Sequence, residues 1–107
     1  MKHLILLVFV SFAGFAQNNY NLIPLPKEVT PSTGQFIVKK STTIGYSHAD
    51  FAPIAILLQE YLQGAGGYPI ATKSTKSAAI QFSIDNTLGE EAYTLSINSS
   101  KISIQAK

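Results

Sequence analysis

Two stretches of alternating apolar and polar residues near the C-terminus constrain the fold more than any other feature of the sequence. Apolar residues occupy every second position in residues 93–97 and again in residues 102–106. Successive side chains of a strand point to opposite faces, so each stretch predicts a half-buried β-strand. With Ser99 and Ser100 as a two-residue turn, the predicted register pairs Ile97 with Ile102, Leu95 with Ile104, and Tyr93 with Ala106. A slip of one residue would destroy this match. Because the turn lacks the Asn-Gly pair that tight hairpins prefer, a longer loop is the alternative.

One helical pattern lies in the middle of the chain. Asp50 as an N-cap, Pro53 in the first turn and Gly64 as a stop predict a helix over residues 51–63. Its apolar residues fall at helical spacing on one face, and they are Ile54, Leu57, Leu58, Tyr61 and Leu62. A one-sided apolar stripe predicts packing against a flat partner, most simply a sheet.

Further strand patterns surround the helix. Residues 35–38 and 42–46 predict two short strands or one bent strand, residues 68–72 a brief strand, and residues 80–84 a half-buried strand. This order predicts an α+β fold, with a mostly antiparallel or mixed sheet and one face covered by a helix. A helix of this length covers only two or three strands. We therefore expect the domain to continue past Lys107, with a second covering helix missing from this chain.

The N-terminus predicts export. Residues 1–16 combine a basic start, an apolar run and small residues before a cleavage point after Ala16, which is the pattern of a secretory signal peptide. A buried N-terminal strand or helix is the alternative. The apolar run is too short to span a bilayer, and without cysteine there is no lipoprotein anchor. Residues 17–21 predict a flexible lead-in, and residues 22–107 the domain itself. We expect a periplasmic or extracellular protein with no membrane anchor.

The charge pattern argues against nucleic acid as a partner. The formal net charge is only +2, and the basic residues are lysines scattered along the chain rather than clustered. A nucleic-acid surface requires a concentrated basic patch.

Few residues could carry chemistry. His48, with Ser47 and Asp50 beside it, could suggest a catalytic or metal site, but these residue types are ordinary at a helix entry. Glu90 and Glu91 are adjacent, whereas glycosidase carboxylates flank a sugar-sized gap. In an extended segment they point to opposite faces, which favours a solvated strand entry.

The glycines and aromatic residues also give little indication of a binding site. Gly64, Gly66 and Gly67 follow a helix, whereas a phosphate cradle precedes one. Three tyrosines outside the periodic positions could stack on sugars, and they are Tyr20, Tyr46 and Tyr68. Asn98 begins a glycosylation sequon that matters only in a eukaryotic source. We therefore predict no catalytic residue, no cofactor-binding residue, no metal-binding residue and no cofactor.

Two motifs together resemble a known family. Residues 23–29 (IPLPKEV), followed by GQF at 34–36 and TI at 43–44, form the first motif. The second is EAYTLSI at 91–97, followed by ISIQA at 102–106. In this order and spacing, with the helix between them, residues 22–107 resemble the N-terminal domain of family-20 glycoside hydrolases, the β-N-acetylhexosaminidases.

The resemblance implies a non-catalytic role. In that family this domain precedes a (β/α)8 barrel that carries an Asp-Glu catalytic pair, and a Gly-rich segment and a second helix that packs on the sheet follow the strands. The complete enzyme removes terminal N-acetylhexosamine by a retaining, substrate-assisted mechanism. No residue of this chain matches the catalytic positions, so the resemblance implies that the chain is inactive alone and reaches an aminosugar glycan only through the barrel.

Two hypotheses follow. The first is a front domain of an exported β-N-acetylhexosaminidase, whose partner is the barrel of the same protein. Similar domains precede other hexosaminidase-like barrels, including family-84 enzymes and some glucuronidases, so the parent chemistry stays open between these. The alternative is a self-contained exported module that binds a glycan or a protein through its open sheet face or edge.

Overall fold

The computed structural model describes residues 26–107. The predicted signal peptide (1–16), the lead-in (17–21) and the start of the proline-containing segment lie outside the described residues. The chain divides into two units at Pro31. Residues 26–31, the described part of the first unit, form neither helix nor strand. The second unit, 32–107, contains the elements described below.

The second unit is a five-stranded sheet with a helix on it. A 3₁₀ turn, Ala49–Phe51, leads directly into the helix. The elements in chain order are β1 (Thr43–Tyr46), α1 (Ala52–Gly66), β2 (Ala71–Ser74), β3 (Ile80–Ile84), β4 (Tyr93–Ile97) and β5 (Ile102–Ala106). The spatial order of the strands is β2-β1-β3-β5-β4. β4 is antiparallel to β5 and the other neighbours are parallel, so the sheet is mixed and the α+β prediction is confirmed.

The C-terminal hairpin has the predicted register. Ile97 pairs with Ile102, Leu95 with Ile104, and Tyr93 with Ala106. Ser99 and Ser100 form the turn, so the longer loop is not used. Asn98 supplies the missing turn chemistry, because its side-chain Oδ1 accepts bonds from the backbone N–H of Ser100 (2.9 Å) and of Lys101 (2.8 Å).

The prediction of a strand at residues 35–38 is wrong. Phe36 and Val38 do pack against the core, but their segment joins no ladder of the sheet. The carbonyl of Val38 instead accepts a hydrogen bond from the Tyr68 hydroxyl (2.7 Å). A side chain on the helix-to-β2 connection therefore satisfies this backbone group, which a neighbouring strand would otherwise do.

The ends of α1 differ from the prediction. His48, not Asp50, caps the 3₁₀ turn, and its Nδ1 accepts from the backbone N–H of Asp50 (3.3 Å). Pro53 lies in the first turn of α1, as predicted. The helix continues past Gly64 to Gly66 and ends at Gly67, whose φ of 72° is the left-handed conformation that glycine adopts without steric cost.

α1 presents a different face to the sheet from the one its apolar stripe predicts. The residue at the centre of the buried face is Ala55, with Leu58 and Leu62 on one side of it. Gln59 and Gln63 lie on its other side and bond the backbone C=O and N–H of Ile70, just before β2. These two bonds draw the glutamine side of α1 towards the edge strand, so the helix is turned by about one residue step, roughly 100°.

The connection from β2 to β3 is a short crossover. Residues 75–79 lead from the end of β2 to the start of β3, and both strands run parallel to β1, which lies between them. The crossover passes directly over Gly45 of β1. A Cβ at Gly45 would lie 2.6 Å from atoms of Thr75, Ala78 and Gln81. The absent side chain of Gly45 therefore provides the space for the crossover.

Gly45→Ala is expected to lower the free energy of unfolding by about 1–3 kcal/mol, because a rigid Cβ is forced against the crossover. Gly64→Ala is the matched control: Gly64 lies within α1 with open space around its Cβ position. That change is expected to stabilise the protein by about 0.5–1 kcal/mol through helix propensity. Urea unfolding monitored by circular dichroism measures both values. Equal effects of the two substitutions would contradict the close approach at Gly45.

The core lies between α1 and the β1–β3 part of the sheet. Its buried residues come from strands, helix and the Ile70 connection, and they are Ile44, Ala55, Ile70, Ile80 and Phe82. The ring of Phe51 stacks on Phe82 with centroids 5.9 Å apart. α1 contacts mainly β1 and β2. Ile102 and Ile104 of β5 are partly buried against the core, and β4 at the far edge of the sheet is left exposed.

Candidate functional site

His48 and Asp50 form a helix entry. His48 Nδ1 lies 3.4 Å from Asp50 Oδ2, and both side chains are largely exposed. Ser47, which the sequence places beside them, donates its backbone N–H to the carbonyl of Phe82 (3.1 Å). Within residues 26–107, no hydrogen bond links the Ser47 side chain to His48. The arrangement is therefore that of a capped helix start.

The acidic residues after β3 do not converge on a ligand-sized gap. Glu90 and Glu91 are exposed, and Glu91 has a positive φ of 60° in the turn before β4. Asp85 accepts bonds from the Thr87 hydroxyl (2.6 Å) and from the Thr87 backbone N–H (2.9 Å). These bonds, the hydroxyl first, lower the pKa of Asp85 because they favour its charged form.

Thr87→Val is expected to raise the pKa of Asp85 towards its ordinary value, because the larger of the two stabilising bonds is lost. A depressed folded-state pKa gives stability that is present above the unfolded-state pKa and lost as the pH falls through the folded-state pKa. The variant should therefore show a weaker loss of stability across that acidic range. NMR titration of the Asp85 carboxyl carbon measures the pKa. Thr94→Val is the control and should leave the Asp85 titration unchanged.

The other candidate features also have structural roles. Tyr46 and Tyr68 are partly buried against the core, and Tyr20 lies outside the described residues. Gly64 and Gly66 lie in the last turn of α1, and Gly67 ends the helix. Within residues 26–107, no cluster of three or more His, Cys, Asp or Glu side chains could hold a metal ion. In the same part of the chain, no helix has the length and apolar character needed to cross a membrane.

The described residues include an exposed apolar surface. The register of β3, β5 and β4 places their apolar residues on the α1 side of the sheet. On edge strand β4, Tyr93, Leu95 and Ile97 are each about half exposed (53%, 50% and 50%). Isolated apolar residues are common on protein surfaces, but a contiguous set on one strand marks an interaction surface.

α1 has an exposed apolar flank as well. Ile54, Leu57 and Tyr61 follow one another at helical spacing and are 49%, 52% and 71% exposed. They lie on the flank of α1 opposite the two glutamines that bond Ile70. We name the β4 and α1 residues together the open apolar surface. Sequence analysis identified these residues but assigned the helical ones to the core.

The opposite face of the sheet is polar. There, Gln81 pairs in register with Ser103, and Ser83 with Gln105. A shallow depression of about 390 Å³ lies on this face. Its polar lining residues are Ser47, Lys76, Gln81, Ser83, Lys101, Ser103 and Gln105. Sequence analysis missed this feature, although a glycine within a β-branched strand, Gly45, signals close approach by another segment.

Comparison with known protein families identifies the family of this chain. The model of glycosyl hydrolase family 20, domain 2, matches residues 19–107. This match spans both motifs on which the sequence resemblance was based. No curated protein gives a significant match to the chain.

Proposed function

Because the chain belongs to glycosyl hydrolase family 20, domain 2, we propose that it is the non-catalytic N-terminal domain of an exported β-N-acetylhexosaminidase. Domain 2 of this family normally sits with a catalytic barrel domain in the same chain. The barrel would supply the catalytic residues and bind the aminosugar glycan. The complete enzyme would remove terminal N-acetylhexosamine residues from glycans.

The observation that carries this proposal is the family match together with the absence of converging reactive groups in residues 26–107. Bond cleavage requires an acid, a base or a nucleophile held around one substrate position. The described histidine and carboxylates instead cap a helix entry, bond a neighbouring threonine or lie exposed. A structural partner of a catalytic domain fits these residues better than an independent enzyme does.

The open apolar surface supports the proposal that this domain packs against a catalytic barrel of the same chain. Half-exposed apolar residues on β4 and α1 are stabilised when another element removes them from water. A following segment or the barrel of the same chain would supply that cover. The surface would then hold this domain against the rest of the enzyme.

The activity test compares two proteins. We expect the protein encoded by the complete reading frame to release p-nitrophenol from p-nitrophenyl N-acetyl-β-D-glucosaminide. Residues 1–107 alone should release none above background. Turnover by purified residues 1–107, free of other hydrolases, would overturn the non-catalytic assignment. A complete reading frame without a barrel would overturn the parent assignment. Export is tested separately by N-terminal sequencing of the secreted protein, which should begin at Gln17.

Leu95→Ser is expected to cost about 1–2 kcal/mol more in the complete enzyme than in residues 1–107 alone. The reason is that the covered half of Leu95 contributes burial energy only where a partner covers it. Thr94→Ser, on the polar face of the same strand, is the control and should have the same small effect in both proteins. Denaturant unfolding of all variants measures the difference. An equal cost of Leu95→Ser in both proteins would mean that nothing covers β4.

A further inference from the structure

The polar face of the sheet carries a depression that is lined by positive but not by negative charges. Its polar lining comprises serine hydroxyls, glutamine amides and two lysines, Lys76 and Lys101, and no acidic residue lines it. Lys76 lies in the crossover between β2 and β3, and Lys101 directly precedes β5. The two positive charges therefore approach the depression from separate elements.

A buried polar residue holds one side of this depression in place. Gln81 is only 3% exposed although it lies on the polar face. Its Oε1 accepts from the backbone N–H of Ala78 (2.9 Å), and its Nε2 donates to the carbonyl of Thr75 (2.7 Å). These bonds fix the crossover on both sides of Lys76. The backbone that carries Lys76 is thus ordered before any ligand arrives, which lowers the entropic cost of binding.

The lining residues indicate the chemical class of the ligand. Serine hydroxyls and glutamine amides both donate and accept hydrogen bonds, which matches the hydroxyl groups of sugars. Lysine ammonium groups attract an anion. The lining contains no aromatic ring on which a neutral sugar could stack. The depression is shallow and open to solvent, and its volume of about 390 Å³ exceeds the size of a simple inorganic anion.

We propose that this depression, with Lys76 and Lys101 on its rim, binds an anionic oligosaccharide, that is, a glycan bearing carboxylate or sulfate groups. Lys76 and Lys101 pair with the anionic groups, and Ser83, Ser103 and Gln105 bond the sugar hydroxyls. The site is independent of glycosidic bond cleavage. It would hold the protein on an acidic glycan whether or not that glycan is hydrolysed.

The test is isothermal titration calorimetry with the purified protein and three probes at low salt. The probes are a heparin-derived hexasaccharide (sulfate and carboxylate), hexagalacturonate (carboxylate only) and chitohexaose (neutral). We expect both anionic probes to bind and chitohexaose to bind at least tenfold more weakly. A preference between the two anionic probes identifies the anionic group. Affinity should fall as the salt concentration rises, because these charges lie at the surface.

The double variant Lys76→Gln/Lys101→Gln is expected to weaken anionic binding roughly tenfold, since each exposed charge pair contributes up to about fivefold. The matched control, Lys39→Gln/Lys40→Gln, removes the same charge elsewhere and should bind as the unchanged protein does. Equal weakening by both variants would mean non-specific attraction and would overturn the proposal. Absence of anionic binding, or equal binding of chitohexaose, would also overturn it. None of these outcomes depends on hexosaminidase activity, so the proposed function is tested separately.

Discussion

Ile44→Ala is expected to lower the free energy of unfolding by about 2–5 kcal/mol, the typical cost of emptying a packed isoleucine site. Ile44 is fully buried (0% exposed) in β1, between β2 and β3 and beneath α1. The side-chain atoms that the substitution removes are surrounded by helix, sheet and the Ile70 connection together. No single neighbour can therefore close the cavity. Globular domains the size of residues 32–107 have a total stability of roughly 4–11 kcal/mol. The substitution therefore removes a large share of it.

Two further variants keep this prediction falsifiable even where Ile44→Ala leaves too little folded protein to measure. Ile44→Val is expected to cost about 0.5–1.5 kcal/mol. Ile37→Ala removes the same atoms from a residue that is 64% exposed and should change the free energy of unfolding by less than about 0.5 kcal/mol. Urea unfolding curves with unchanged slope measure all three. Equal costs at positions 37 and 44 would mean that β1 does not lie at the centre of the core.

Gln81→Leu is expected to cost about 2–4 kcal/mol. Leucine has a similar volume, so the effect does not come from a cavity. It comes from the buried backbone N–H of Ala78 and the part-buried carbonyl of Thr75, which both lose their partner. Each unsatisfied buried polar group costs about 1–3 kcal/mol. The Gln81 Nε2 bond to the carbonyl of Phe82 (2.9 Å) is lost as well.

Gln105→Leu is the matched control for Gln81→Leu. Gln105 lies on the same polar face of the neighbouring strand and accepts one long hydrogen bond, from the Thr94 hydroxyl (3.3 Å). It is only half buried, so its loss should change stability by less than about 0.5 kcal/mol. A cost for Gln105→Leu that matched that of Gln81→Leu would show that the polar face as a whole, rather than the crossover, needs its amides. Hydrogen exchange at Ala78 should accelerate only in Gln81→Leu.

The hairpin of β4 and β5 shows what local pattern can decide. Alternation with period two fixes which residues share a face, and only one register of residues 93–106 places every apolar side chain together. The structure has that register. The existence of α1 and of strands at 43–46 and 80–84 follows from the same kind of local regularity. The family resemblance was equally accessible, because motif order and spacing are properties of the sequence.

The orientation of α1 could not be predicted from its own residues. Ile54, Leu57 and Tyr61 belong to the most regular apolar stripe of the helix, yet they are exposed. Two glutamines decide the orientation, because they bond the backbone of Ile70, a residue that only the folded chain brings beside them. Periodicity reports which residues are apolar, whereas the partner surface decides which of them are buried.

The arrangement of the polar face could be predicted from the sequence even less than the orientation of α1. Alternation in β3 assigns Gln81 to solvent, and the sequence places the loop before it outside the sheet. In the folded protein that loop crosses β1 and buries Gln81. Local sequence determined β1, α1, β3, the hairpin register and the family. The parallel strand order, the crossover over Gly45 and the polar depression were decided by tertiary structure, because each depends on contacts between segments that the chain brings together only on folding.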